Sequence, residues 1–278
     1  MKDQVPFLKG HGTENDFVLL PDPDGALHGD LDPDLVRRLC HRRAGLGADG
    51  VLRVVRTEAY DDPAAVAARE DADWFMDYRN SDGSVSEMCG NGIRVFGRYL
   101  VDHQGADSAR DVPVGTRAGI RTLTFSGSDV SVDMGSPQVL GETKVAVGDR
   151  SWPALHVSMG NPHAVAFVDT LADAGPLLDP PVHDPGEYPS GVNVEFVVRR
   201  AERHVGMRVH ERGSGETRSC GTGACAVMVA AALADGFGRG TTYRVDVPGG
   251  RLDVAWTEED RVVLTGPAVI VAAGTWTG

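Results

Sequence analysis

Cys89-Gly90-Asn91-Gly92 returns 131 positions later as Cys220-Gly221-Thr222-Gly223. The same shift carries Met76 onto Met207, Gly119 onto Gly250, Asp129 onto Asp260, Val132 onto Val263 and Gly135 onto Gly266. A single four-residue match arises easily by chance. A shift held over nearly sixty residues marks an internal duplication. Two similar domains are therefore predicted, each presenting one Cys-Gly-x-Gly loop. Length agrees, because 278 residues is about two domains' worth.

Around the loops, residues 51–55, 120–125, 130–134, 192–198, 204–210 and 243–247 alternate as strands do. Helical patterns are fewer, over residues 34–41, 93–101 and 224–233. Strands outnumber helices and no regular crossover helix separates them, so the fold class is α+β. Two stretches read as loops. Residues 58–73 are acidic and Ala-rich, with room for a short helix; residues 173–190 carry five prolines, which no regular element tolerates.

Composition narrows the function. The formal charge of −13 argues against a nucleic-acid or anionic-membrane surface. Lys2, Lys9 and Lys144 are the only lysines, two of them at the N-terminus, which weighs against a pyridoxal Schiff base. Four cysteines, Cys40, Cys89, Cys220 and Cys225, are too few for a disulfide framework. The opening MKDQVPFLKG has no apolar signal core, and the longest apolar run, residues 224–234, is too short to span a bilayer. A cytoplasmic, reduced, soluble chain is expected. Nine histidines without HExxH, and cysteines without CxxC, give no metal site. Gly221 to Ala226 fits the dinucleotide fingerprint loosely but follows no apolar strand, and Arg212-Gly213-Ser214-Gly215 is not a serine-hydrolase elbow.

Each Cys-Gly-x-Gly string precedes a helical stretch, and the one at 224–234 is apolar on every face, as a core helix is. Free N–H groups and the helix dipole at such a start favour an anion and favour thiolate over thiol. A lone cysteine is ordinarily a small buried residue, the reading given to Cys40 and Cys225. A matched pair beside glycine-rich helix starts points instead to two thiols acting on one carbon. One removes a proton while the other delivers a proton to the opposite face. The helix-start donors would stabilise the charge that develops on an α-carboxylate.

These residues resemble the diaminopimelate epimerases, pyridoxal-independent isomerases of lysine and peptidoglycan synthesis. The resemblance rests on His11-Gly12 with Asn15-Asp16-Phe17, Asn80-Ser81-Asp82-Gly83-Ser84, Met88-Cys89-Gly90-Asn91-Gly92 and Ser158-Met159-Gly160-Asn161-Pro162-His163. It continues through Asn193, Glu211-Arg212-Gly213, Gly215-Glu216-Thr217, Cys220 to Ala226, and Pro248 to Leu252, nearly end to end. It implies two barrel-like domains, each wrapped around a central helix, with a cleft between them. Their bounds are 1–134 plus 267–278, and 135–266, with a strand at residues 268–272 returning to the first.

It also implies that Cys89 and Cys220 are the acid/base pair, assisted by His163 and Glu211. Gly90, Asn91, Gly221 and Thr222 would hold the reacting carboxylate, and Asn15 and Glu211 would lie near the reacting amino group. Asn80, Asn161, Asn193 and Arg212 would grip the substrate's distal head. No cofactor or metal is implied; diaminopimelate is the partner, and a homodimer is common in such families. Two positions depart from the family's usual pattern: Thr13-Glu14 precede Asn15, and Gly50 stands where many members carry glutamine. A proline-type racemase is the main alternative, but it places histidine after the first Cys-Gly, where this chain has Asn91. A ligand-binding protein that kept the cleft would not need both thiols.

Overall fold

The computed structural model describes residues 4–278, and the chain divides into two compact units. One runs through Val132 and takes back Pro267–Gly278; the other is Asp133–Gly266. In the first, β1 (Val5–Gly12), β2 (Asn15–Pro21), β3 (Gly50–Arg56), β4 (Trp74–Asn80), β5 (Val112–Thr116), β6 (Gly119–Ser126) and β7 (Asp129–Asp133) are neighbours in chain order. The pairs β2–β3 and β4–β5 are parallel and the rest antiparallel.

The second unit repeats the plan with β8 (Gln138–Val147), β9 (Arg150–Ser158), β10 (Pro162–Phe167), β11 (Asn193–Ala201), β12 (His204–Glu211), β14 (Thr241–Val247), β15 (Gly250–Trp256) and β16 (Val262–Pro267). Here β10–β11 and β12–β14 are the parallel pairs, and a three-residue strand, β13 (Gly215–Thr217), folds back on β12. A last strand, β17 (Val269–Trp276), pairs antiparallel with β1, as β8 pairs with β9. It covers most of the expected strand at residues 268–272 and extends four residues further.

Among the described residues four α-helices join the strands: α1 (Pro33–Cys40), α2 (Pro63–Ala68), α3 (Gly90–Gln104) and α4 (Gly221–Ala234). Both α1 and α2 start on Asp-Pro. Asp32 and Asp62 accept from the N–H two residues on, and proline supplies the first helical residue without an N–H to satisfy. That signal makes α2 inside the acidic stretch expected to be loop, and the proline-rich stretch contains part of a short 3₁₀ turn, Leu171–Ala174.

The central helices are longer than their apolar patterns. α3 begins three residues before Ile93 and ends only at Gly105, whose φ of 72° is a left-handed stop. Glycine and asparagine are poor helix formers, so their pattern hides a start that a thiol cap supplies. α3 lies against β17, β1, β2, β3 and β4, and α4 against β9, β10, β11, β12, β14 and β15. α4 is buried through Ala232 apart from Thr222, and each Val or Met so buried contributes about 1.5 to 3 kcal/mol. Cys225 lies within it fully buried. Cys40 packs with Val18, Leu20 and Leu39, and burial pushes its thiol up to about 12, so it is inert. No helix among the described residues is long and apolar enough to cross a membrane.

Candidate active site

In the first unit, Cys89 caps α3: its sulfur accepts from the Gly92 N–H at 3.4 Å. The thiol faces Asn15 Oδ1 at 3.7 Å, and that oxygen also accepts from Asn91 Nδ2 at 3.1 Å. Asn15 is held in turn by donating to Asp49 Oδ2 at 2.7 Å. Arg42 pairs with Asp49 at 2.6 Å and with Asp16 at 2.8 Å, and Lys9 also bonds Asp16. Burial opposes the charge on Asp16, but Arg42 and Lys9 outweigh it and hold the carboxyl below its ordinary range. The first cysteine thus meets a neutral amide that is anchored by an ion-pair network.

Asn15 is aimed by the turn that precedes it. Thr13 and Glu14, at φ 50° and 61°, form the two-residue left-handed link between β1 and β2. Glu14 points out and is exposed, whereas Thr13 is buried and its hydroxyl takes a long contact from Arg94 at 3.5 Å. Gly50 also has a steric reason. A Cβ there would lie 2.6 Å from the Arg79 carbonyl oxygen and 2.7 Å from the Tyr78 ring, so β3 and β4 leave no room for glutamine on this backbone. Asn80 ends β4, and its Nδ2 donates to the Ser84 hydroxyl at 2.9 Å across a turn closed by Gly83 at φ 85°.

In the second unit, Cys220 caps α4 in the same way, accepting from the Gly223 N–H at 3.4 Å. Its sulfur also lies 3.5 Å from the Thr222 hydroxyl. The surroundings differ. Glu211, at the end of β12, accepts from the Thr217 hydroxyl of β13 and a hydrogen bond from Cys220. His163, fully buried on β10, puts Nδ1 2.6 Å from Glu195 Oε1 and Nε2 3.1 Å from Asn161 Oδ1. Asn161 Nδ2 reaches Thr222 Oγ1 at 3.3 Å. Asn193 is braced at both ends, donating to the Pro162 carbonyl at 3.1 Å and accepting from the Arg212 N–H at 2.9 Å. It fixes the main chain of Arg212, whose side chain is exposed.

The electrostatics correct one expectation. A helix-start cysteine was expected to favour thiolate, yet burial first, then Glu211 and Glu195, push the Cys220 thiol well above its ordinary range. The Thr222 and Gly223 hydrogen bonds pull the other way and do not win. Burial likewise raises Glu211, and Glu195 raises it further, while Thr217, Cys220 and His163 pull it down. Glu195 is raised by its complete burial. Gly90 and Asn91, and Gly221 and Thr222, open the two helices, where N–H groups have no partner four residues back.

Sequence reasoning missed Glu195, Asp49 and Thr217. Glu195 had a signal, a lone carboxylate inside the apolar run Val192 to Val198. Asp49 is a loop carboxylate without one, and Thr217, in the short β13, stands within the Gly215-Glu216-Thr217 match, which assigns it no role.

The diaminopimelate epimerase family model matches residues 7–140 and 155–271. The diaminopimelate epimerase of Streptomyces coelicolor is 58% identical over 99% of this chain and 96% of its own length. That of Thermobifida fusca is 50% identical over 96% of each, and that of Mycolicibacterium smegmatis 49% identical over 96% of this chain and 95% of its own. Among solved structures, a phenazine biosynthesis protein of the PhzF family from Bacillus anthracis superposes with a TM-score of 0.72 at 17% identity, covering 99% of both chains. A hydroxyproline epimerase from Agrobacterium vitis gives 0.68 at 15% identity, over 99% of this chain and 92% of that one. These structures share the fold, and the strand-rich α+β reading of the sequence agrees with them.

Proposed function

The chain belongs to the diaminopimelate epimerase family and is an isomerase; from that premise we propose that Cys89 and Cys220 are its two proton carriers, interconverting LL- and meso-diaminopimelate at one α-carbon. One sulfur, as thiolate, takes the α-proton. The C–H electron pair passes toward the α-carboxylate, where the N–H groups of Gly90, Asn91, Gly221 and Thr222 stabilise it. The other thiol then gives its proton to the opposite face and is left as thiolate. Atoms and charge balance, and the two sulfurs exchange roles. Each well-placed donor contributes about 3 kcal/mol, by analogy with oxyanion holes. What carries this reading is that two units of one topology each cap a buried helix with a cysteine.

Around that core, His163 and Glu211 assist proton movement at the sulfurs, and Asn15 and Glu211 receive the reacting amino group. Arg212 takes the distal carboxylate, supported by Asn80, Asn161 and Asn193. A guanidinium grips a carboxylate in two-pronged fashion, and Asn193 already fixes the Arg212 main chain. We read the chemistry as independent of pyridoxal, a reading supported by Lys9 being taken up by Asp16 and the Gly47 carbonyl. We further read the enzyme as cytoplasmic and homodimeric, in lysine and peptidoglycan-precursor synthesis; light scattering tests the dimer.

Incubation with LL-diaminopimelate in heavy water tests the reaction. The meso form should appear carrying one deuterium at the inverted α-carbon. Inversion with the original hydrogen retained at that carbon would overturn the exchange of protons with two thiols.

A further inference from the structure

We propose that Glu195 is a positioning residue for the Cys220 half of the reaction. It fixes the His163 ring and, through Asn161 and Thr222, directs a line of hydrogen-bond donors at the Cys220 sulfur. The inference rests on the acid/base role of Cys220 proposed above and adds what sets the protonation of that sulfur.

Glu195 is the third residue of β11, between Val194 and Phe196, and is fully buried. Oε1 is 2.6 Å from His163 Nδ1, while Oε2 is buried without a hydrogen-bond partner. Such an atom is costly in a core. The carboxyl also lies close to the reacting end of α4. A Cβ on Gly223 would be 2.7 Å from Glu195 Oε1 and 3.3 Å from Cys220 Sγ, so one point touches both. That is why the fourth residue of the loop carries no side chain.

From Glu195 the contacts run without a gap. His163 Nε2 is 3.1 Å from Asn161 Oδ1, Asn161 Nδ2 is 3.3 Å from Thr222 Oγ1, and Thr222 Oγ1 is 3.5 Å from Cys220 Sγ. The direction of the donors follows from the inventory of each group. With protons on both ring nitrogens, Nδ1–H donates to Glu195 Oε1 and Nε2–H donates to Asn161 Oδ1. Asn161 Nδ2–H then donates to Thr222, leaving the Thr222 hydrogen for the sulfur, which suits thiolate. With a neutral ring that keeps its proton on Nδ1, Asn161 must turn over. Thr222 then donates to Asn161 and accepts from the thiol. The line thus has two polarities, matching the two forms Cys220 takes in a reaction cycle. The orientation of Asn161 is the one that supports thiolate, against the burial and the direct negative charge of Glu211 and of Glu195 itself that oppose it, so the line of donors must outweigh the bare charge of Glu195.

Glu195→Gln tests this, because it keeps the shape and, paired with a neutral ring, keeps the net charge of the His163–Glu195 pair. Cys220 alkylation by iodoacetamide, mapped by mass, should slow relative to Cys89 in the same molecule. The turnover number should fall by roughly 10- to 100-fold with KM within about twofold, the range for carboxylates behind metal-bound imidazoles. Thr222→Val, which removes only the last donor, should slow Cys220 alkylation in the same sense and stands in if Glu195→Gln fails to fold. Protection of Cys40 and Cys225 from the reagent reports an intact core.

Alkylation of Cys220 that is unchanged or faster in a folded variant would overturn the proposal. Faster labelling would mean that Glu195 acts on the sulfur only as a nearby negative charge. The alkylation ratio is read without substrate, so its failure is distinct from that of the catalytic reading, which falls if Cys220→Ala still epimerises.

Discussion

Cys89 and Cys220 each cap a buried helix and each accept from the glycine three residues on, at 3.4 Å in both units. Beyond that shared backbone they diverge. Cys89 is half-buried against the amide of Asn15, whereas Cys220 is buried beside Glu211 and Glu195. Duplication has preserved what holds a sulfur at a helix start and let go of what sets its charge. In the proposed reaction, two sulfurs that trade one proton through a substrate need not be alike, but each must be reachable as thiolate. At Cys89 the sulfur meets the Asn15 amide; at Cys220 donors must overcome carboxylates.

The largest expected effect treats the two loops as equals. On the proposed two-thiol reaction, replacing either Cys89 or Cys220 with alanine removes one proton carrier, and each change should lower the turnover number by roughly 10²- to 10⁴-fold. Cys225→Ala should leave most activity, since that thiol lies inside α4. Steady-state epimerisation of the three variants checks this; near-normal turnover by either of the first two would remove the two-thiol reading.

The next effect separates the loops. Cys220 ionises above the ordinary thiol range because burial, Glu211 and Glu195 oppose its charge, so its alkylation should set in at higher pH than that of a free thiol. In that alkaline range Glu211 carries its negative charge. Glu211→Gln removes a like charge and should shift the Cys220 labelling curve to lower pH, with Cys89 unmoved. A curve that stays in place would mean that burial and Glu195 hold the thiol up without Glu211.

The duplication was legible because Cys-Gly-x-Gly is a backbone requirement written in residue types. The sulfur caps the helix by accepting from the N–H of the last glycine in both loops. The same logic made the core cysteines legible, since Cys40 and Cys225 lack those glycines. The charge environment of Cys220 was not legible. Glu195 lies 25 residues before it in sequence, on a strand whose apolar neighbours mark it only as a core element. Its meaning appears when β10 and β11 pair in parallel and set His163 level with Asn193. Helix starts were misplaced for a related reason, because caps made by a thiol lie outside the usual Ser, Thr, Asp and Asn signals.

The two capping glycines offer a finer comparison by substitution with alanine. At Gly92 the new Cβ would meet Leu52, Cys89 and Phe17 at 3.2 to 3.4 Å, contacts that small movements relieve. Alanine also gains about 1 kcal/mol of helix propensity over glycine, so Gly92→Ala should be close to neutral in stability. At Gly223 the Cβ would be 2.7 Å from Glu195 Oε1, in a fully buried group that cannot withdraw. Gly223→Ala should therefore destabilise by about 1 to 3 kcal/mol net. Urea denaturation of both variants decides it, and equal losses would mean that Glu195 is free to move.

The smallest effect lies in the turns that lead into the two sites. β1 and β2 are joined through Thr13 and Glu14, both left-handed, whereas the link from β9 to β10 places Gly160 at φ 94°. A Cβ at Gly160 would meet nothing within 4 Å, so Gly160→Ala isolates backbone strain from packing. Left-handed backbone costs an ordinary residue roughly 1 to 2 kcal/mol, and that is the loss expected. Glu14→Gly runs the comparison backwards. The side chain is exposed at φ 61°, and its removal relieves the same strain, but glycine raises the unfolded-state entropy by about 0.5 to 1 kcal/mol. The net gain should be a few tenths of a kcal/mol up to about 1. A loss of stability in Glu14→Gly would show that the contacts Glu14 makes outweigh its strain. The first turn would then be held by its side chains, and the second by glycine alone.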